Sequence, residues 1–272
     1  MSRIAGRFQE LAAQGRKALI PYIVVGDPTL EGTVPLMHAL VANGADIIEL
    51  GVPFSDPMSE GPVIQLAHER ALANGATLRD ALAAVREFRQ SDDSTPVLLM
   101  GYANPVEHMG YAVFADAAAE AGLDALLTVD IPPEEVTGIN TELHRAGMDN
   151  IFLVAPTTPD ARIGRIVDQA SGFIYYVSLK GVTGAGHLDA DDVAAHVARI
   201  RERSQLPVAV GFGIKDAQSA ASVAGIADGI VVGSALIRAM ADNLEAGGNH
   251  AAAQQAAVDL LAEIRRGVDS AS

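Results

Sequence analysis

The chain has 272 residues, 34 acidic against 19 basic for a net charge of −15, and no cysteine. That charge argues against nucleic acid and anionic membrane surfaces as partners, and the missing cysteines exclude disulfides, thiolate metal sites and thiol catalysis. Hydrophobic residues make up 49% and aromatics only 4%, so the expected core is aliphatic and alanine-rich, and no apolar run approaches a membrane span.

The first seventeen residues lack the continuous apolar segment of a secretory signal. Ile4, Phe8, Leu11 and Ala12 share one helical face, which predicts an amphipathic helix and a soluble, cytoplasmic protein. Ala18 to Gly26 reads as a buried strand stopped by Gly26-Asp27-Pro28, and Leu30 to Asn43 as a helix stopped by Gly44. A second strand starts at Asp46, and Pro62 to Asn74 is helical. Thr77-Leu-Arg-Asp80 reads as a capping-box variant before Leu78, Leu82, Val85 and Phe88.

The alternation then repeats. Pro96 to Met100 is a strand, followed by a Gly-Tyr-Ala-Asn-Pro turn and a helix over Tyr111 to Ala121. Ala125 to Val129 is a strand, with a helix from Pro132-Pro133 to Ala146. Asn150 to Ala155 leads through Thr158-Pro159 into a helix ending at Ala170. Phe173 to Val177 precedes a long polar glycine loop and a helix from Asp191 to Glu202. The last strands are Pro207 to Gly211 and Gly229 to Val232, each followed by a helix. Ala251 to Arg265 closes the chain as an amphipathic helix with a frayed end.

Eight unbroken apolar strands, seven of the links between them carrying a helix, predict an α/β fold. The specific expectation is a (β/α)8 TIM barrel, one domain over 1–272, with an extra N-terminal helix and a C-terminal helical extension. A doubly wound open sheet is the rival, weakened because no Gly-x-Gly-x-x-Gly follows a strand and no linker divides the chain. Four strands are entered through glycine and then aspartate: Gly44/Asp46, Gly122/Asp124, Gly147/Asp149 and Gly225/Asp228. The glycine suits a helix end, and the aspartate can bind backbone amides at the strand entrance.

Glu49 stands out because a core strand should carry no carboxylate, and burial makes an unpaired one costly. It is either a structural group capping an amide or an acid–base residue. The Pro- and Gly-rich loop after it carries Asp56 and Glu60, so one acid sits on rigid backbone and another on a loop that can close. Glycines cluster after the last three strands, at Gly181-Val-Thr-Gly184, Gly211-Phe-Gly213 and Gly233-Ser234. Backbone amides and helix N-termini there suit a phosphate, and Ser234 could serve as both N-cap and ligand. Lys17, Lys180 and Lys215 all lie off the strands, which argues against a strand-borne Schiff base. The histidines, among them His38, His68, His144 and His196 on helices, show no ligand-like spacing, so no metal is expected; His187 falls in the glycine loop. Tyr175 either packs or reaches a carboxylate with its hydroxyl.

The chain resembles the tryptophan synthase alpha chain family over essentially its whole length. The resemblance rests on Leu19-Ile-Pro-Tyr with Gly26-Asp-Pro, Glu49-Leu-Gly-Val-Pro-Phe-Ser-Asp-Pro57 with Gly61-Pro62, and Leu99-Met-Gly-Tyr-Ala-Asn-Pro105. It continues through Asp130-Ile-Pro-Pro-Glu-Glu135, Leu153-Val-Ala-Pro-Thr-Thr-Pro159, Ser178-Leu-Lys-Gly-Val-Thr-Gly184, Val210-Gly-Phe-Gly-Ile214 and Val232-Gly-Ser234. It implies a lyase that cleaves indole-3-glycerol phosphate to indole and glyceraldehyde 3-phosphate without a cofactor. It also implies a beta-chain partner in an α2β2 assembly. By the same resemblance, Glu49 transfers the proton and Glu60 stands where the family carries Asp. Gly184, Gly213, Gly233 and Ser234 match phosphate-binding positions, and Tyr22, Met100, Leu127, Tyr175, Thr183 and Phe212 match positions around the indole. Glu60 keeps the charge but adds one methylene, roughly 1.5 Å of reach, where misplacement of about 1 Å can cost about 100-fold in rate.

An isomerase or epimerase on another phosphate-binding barrel is the alternative enzyme, and a regulatory subunit with little lyase activity the alternative of another class. An apolar rim of Pro53, Phe54, Pro57, Met58, Asn104, Pro105, Met109 and Pro132 is expected to meet the partner.

Overall fold

The computed structural model describes residues 2–177, 190–211 and 213–271. Helix α1 (Arg3–Ala13) leads into strand β1 (Ala18–Val24), α2 (Leu30–Ala42), β2 (Ile48–Gly51), α3 (Pro62–Ala73) and α4 (Leu78–Phe88). Next come β3 (Val97–Gly101), α5 (Ala103–Met109), α6 (Tyr111–Ala121), β4 (Ala125–Thr128), α7 (Thr137–Arg145), β5 (Asp149–Val154) and α8 (Asp160–Gln169). The chain ends with β6 (Ile174–Val177), α9 (Ala190–Arg201), β7 (Val208–Gly211), α10 (Ala217–Ala224), β8 (Gly229–Val232), α11 (Ser234–Glu245) and α12 (His250–Ser270). All eight strands are parallel, and β1 pairs with β8 to close the barrel.

Strand alternation sorts the apolar residues into two layers. Ala18 and Ile20, Ile47, Leu98, Ala125 and Leu127, Ile151, Phe173, Ala209 and Val231 fill the barrel interior. The residues between them face outward to a larger cluster under the helical shell. Ile4, Phe8 and Leu11 of α1 close the bottom of the interior, with the Phe8 and Phe173 rings 5.7 Å apart. The opposite end, at the carboxyl ends of the strands, is left for function.

The aspartate half of the glycine–aspartate junctions behaves as read at three of four places, and the whole junction at two, Gly44/Asp46 and Gly122/Asp124. Asp46, Asp124 and Asp228 each accept a backbone N–H from the preceding strand, from Leu19, Val97 and Val208 at 3.0, 2.8 and 2.9 Å. Asp149 does not follow, because the equivalent amide, Asp124 N–H, is already donated to Val97 O; among the described residues its buried Oδ2 has no partner. Gly44, Gly122 and Gly147 take positive φ, whereas Gly225 stays helical at −71°.

Three boundaries depart from the sequence reading. The Gly-Tyr-Ala-Asn-Pro turn opens a short helix, α5: Pro105 falls in its first turn, where a missing N–H costs nothing, and Asp130 accepts the Ala103 N–H at 2.8 Å. Helix α7 starts at Thr137 rather than at the prolines, since Pro133 disfavours helical geometry at Pro132. Helix α12 runs on to Ser270 because Val268 is fully buried and Arg265 pairs with Asp269. The Thr77/Asp80 capping box forms as expected.

Candidate active site

Glu49 sits in the middle of β2 with 1% of its surface exposed, flanked in register by Tyr22 on β1 and Leu98 on β3. Among the described residues neither carboxylate oxygen has a hydrogen-bond partner, so the amide-capping reading is overturned. Burial, reinforced by the charge of Glu60, raises its pKa from 4.5 to about 8. A carboxyl group in this state holds its proton at neutral pH and can release it to a substrate.

Glu60 is half-buried, on the loop between β2 and α3, and burial raises its pKa to about 7. The loop is pinned along its length. The Phe54 N–H donates to His68 Nδ1 (3.1 Å), the Ser59 N–H to the Tyr102 hydroxyl (3.0 Å), and the Gln65 side-chain amide to Glu60 O (2.8 Å). The Phe54 ring stacks on Tyr102 at 5.0 Å. Asp56 is exposed and accepts from the Ser55 hydroxyl, so Glu60, not Asp56, is the loop acid that acts on Glu49.

Two tyrosines frame the acids. Tyr22 continues the inward series of β1, and its hydroxyl lies over Gly51, where a Cβ would fall 2.4 Å away. Tyr175, facing inward from β6, stands over Gly211 of β7 with the same 2.4 Å spacing. The two glycines are therefore required by close approach. Burial, then the charges of Glu49 and Glu60, pushes the Tyr175 phenol well above its ordinary range. Met100 and Leu127, neighbours in register on β3 and β4, complete the apolar wall.

At the far side, Gly213 has φ +76° after β7, and Gly233 abuts Tyr22, whose Cβ would be 3.3 Å from an added methyl. Ser234 is the first residue of α11 and Gly233 is its N-cap, so the expected N-cap role of Ser234 is corrected; among the described residues no side chain caps this helix. Uncapped first-turn amides and the helix dipole suit an anion. Thr183, Gly184, Phe212, Lys180, His187 and the Gly181-Val-Thr-Gly184 motif lie outside the described residues.

Sequence reasoning missed two residues. Tyr102 lies two positions beyond Met100, and strand alternation could have found it. His68 joins a helix to β1 and to the loop, and nothing in its spacing revealed that.

A (β/α)8 barrel with two carboxyls of raised pKa and a helix N-terminus open to an anion at the carboxyl ends of its strands fits a class: barrel enzymes that move protons on an anionic substrate. The family model for the tryptophan synthase alpha chain matches residues 8–266. The chain is 59% identical over 269 residues to the "Tryptophan synthase alpha chain" of Thioalkalivibrio sulfidiphilus, covering 99% of this chain and 100% of that one. It is 62% identical over 238 residues to that of Nitrosococcus oceani, covering 88% of each. The crystal structure of tryptophan synthase subunit alpha from Legionella pneumophila str. Paris superposes with a TM-score of 0.92 at 46% identity, covering 99% of both chains. This chain belongs to the tryptophan synthase alpha chain family. It is a lyase of tryptophan biosynthesis, cleaving indole-3-glycerol phosphate, and it works with a beta-chain partner. Among the described residues no helix is long and apolar enough to cross a membrane.

Proposed function

We propose that indole-3-glycerol phosphate binds with its indole between Tyr22, Met100, Leu127, Tyr175, Thr183 and Phe212. Its phosphate then lies on the backbone of Gly184, Gly213, Gly233 and Ser234. Protonated Glu49 gives its proton to indole C3, and Glu60 stabilises the positive charge that spreads to the ring nitrogen. The Glu49 carboxylate then takes the proton of the C3′ hydroxyl as the C3–C3′ bond breaks. The bond's electron pair returns to the ring, the aldehyde forms, and Glu49 ends protonated as it began. The observation that carries this reading is the orphaned, buried Glu49 carboxyl, held at about 8.

The chain acts in the cytoplasm as a single barrel domain in an α2β2 assembly with its beta chain. Glu49→Gln tests the proton-transfer role: kcat for indole release should fall at least about 1,000-fold, while substrate affinity stays within about threefold. Near-normal turnover by Glu49→Gln would refute the role.

A further inference from the structure

His68 of α3 is 2% exposed, and both of its ring nitrogens are engaged. Nδ1 faces the Phe54 N–H at 3.1 Å, and Nε2 lies 3.2 Å from the Tyr22 hydroxyl. A backbone N–H only donates, so Nδ1 carries the lone pair and the proton of the neutral ring sits on Nε2. Burial keeps the ring neutral by lowering its basicity. Nε2–H therefore donates to the Tyr22 oxygen, and the hydroxyl's own proton must point elsewhere.

The surroundings of that proton are acidic. Tyr22 is paired with Glu49 across β1 and β2, and among the described residues no group accepts from its hydroxyl. Burial raises the phenol's pKa most; the charges of Glu60 and then Glu49 add to it, ahead of Tyr102 and Tyr175.

We infer that His68 is a positioning residue for Glu60: by occupying the Tyr22 oxygen it leaves the hydroxyl proton free to be given to Glu60 when that acid is ionised, and it anchors at Phe54 the loop that carries Glu60. The inference rests on the role proposed above for Glu60. A glutamate has one more rotatable bond than an aspartate, and a donor on the facing wall limits where its longer arm can go. In this way a tyrosine at a position expected to be only an indole wall becomes part of the acid's support.

Steady-state cleavage by the full chain tests this with Tyr22→Phe, His68→Leu, His68→Gln, Glu60→Asp and Glu60→Gln, each checked by thermal melting. Tyr22→Phe and His68→Leu should each lower kcat about tenfold with KM within about threefold, and the double variant should be no worse than the worse single. His68→Gln, whose amide can accept from Phe54 and donate to Tyr22, should recover most of the loss. The acid limb of kcat/KM should move to higher pH in Tyr22→Phe, because an ionised Glu60 has lost its donor. In a Glu60→Asp background the Tyr22→Phe loss should shrink at least about threefold. Additive losses, or an undiminished loss beside Glu60→Asp, overturn the inference; if His68→Leu does not fold, the remaining variants decide. Full activity in Glu60→Gln would instead remove the role of Glu60 itself, whereas an impaired Glu60→Gln beside a normal Tyr22→Phe refutes only the support by Tyr22.

Discussion

On the proposed reading, the two carboxyls whose pKa values burial raises set the reaction's working pH. In the proposed mechanism cleavage starts from protonated Glu49 and ionised Glu60, which burial raises to about 8 and about 7. The profile of kcat/KM against pH should therefore be a narrow bell, rising near 7 and falling near 8, with both limbs belonging to the coupled pair. A profile flat from pH 6 to 9 would contradict the assignment. The same burial costs stability. Folded Glu49 keeps a proton that the unfolded chain releases above the ordinary value of 4.5, so its contribution is fully present below that pH and is lost as pH rises to about 8. Glu49→Gln should thus be more stable than the parent at pH 8.5, by on the order of 2–4 kcal/mol, and the gain should vanish near pH 4.5. Urea unfolding at both pH values measures it. The sequence made Glu49 legible because a charge interrupts an apolar strand. It could not make His68 legible, since the partners of His68 lie 14 and 46 residues away and meet it only through the fold.

Helix α3 is the element that holds the two acid-side loops together. His68 takes the loop after β2 and the wall of β1, while Arg70 forms a two-pronged pair with Asp27 at 2.7 and 2.8 Å. Asn74 donates to Gly26 O and Pro28 O at 2.9 and 2.8 Å, so one helix fixes the ends of both β1 and β2. Asp27 is 2% exposed, and losing its partner leaves a buried charge alone. Arg70→Ala should cost about 3 kcal/mol in urea unfolding and lower turnover as well, because the loop after β1 loses its hold. A change below about 0.5 kcal/mol would mean that the pair is merely a surface contact. This bracing was not readable from periodicity, which finds a helix's apolar stripe but not the destination of its polar side chains. The strands were readable throughout, since residues buried on both sheet faces form mostly apolar runs, interrupted in β2 by Glu49. The helix boundaries that were misread depend on contacts from distant residues: Asp130 onto Ala103, and the buried anchoring of the last turn of α12.

At the scale of the whole molecule, α1 closes the barrel's floor, so on the proposed reading indole leaves through the mouth where the acids lie. That topology was legible from eight strands alternating with helices, but which apolar residues stay uncovered was not. Of the expected docking rim, Pro53 is buried in the fold and is no contact surface, whereas Met58 is 76% exposed, the most open large hydrophobic residue among those described. Met58 stands two residues before Glu60 on a loop already tied down by His68, Tyr102 and Gln65, so ordering it on association costs little. An exposed apolar side chain on a restrained loop at the exit of an apolar product is best used by a covering partner. Met58→Asp should weaken binding of a matched beta chain at least about tenfold, and Pro132→Asp, on the half-buried turn before α7, should weaken it in the same direction. The isolated Met58→Asp chain should melt as the parent does, since the side chain touches little of its own fold. Calorimetric titration of each variant with the beta chain reads the affinity, and an unchanged dissociation constant in both would move the interface to another face of the barrel.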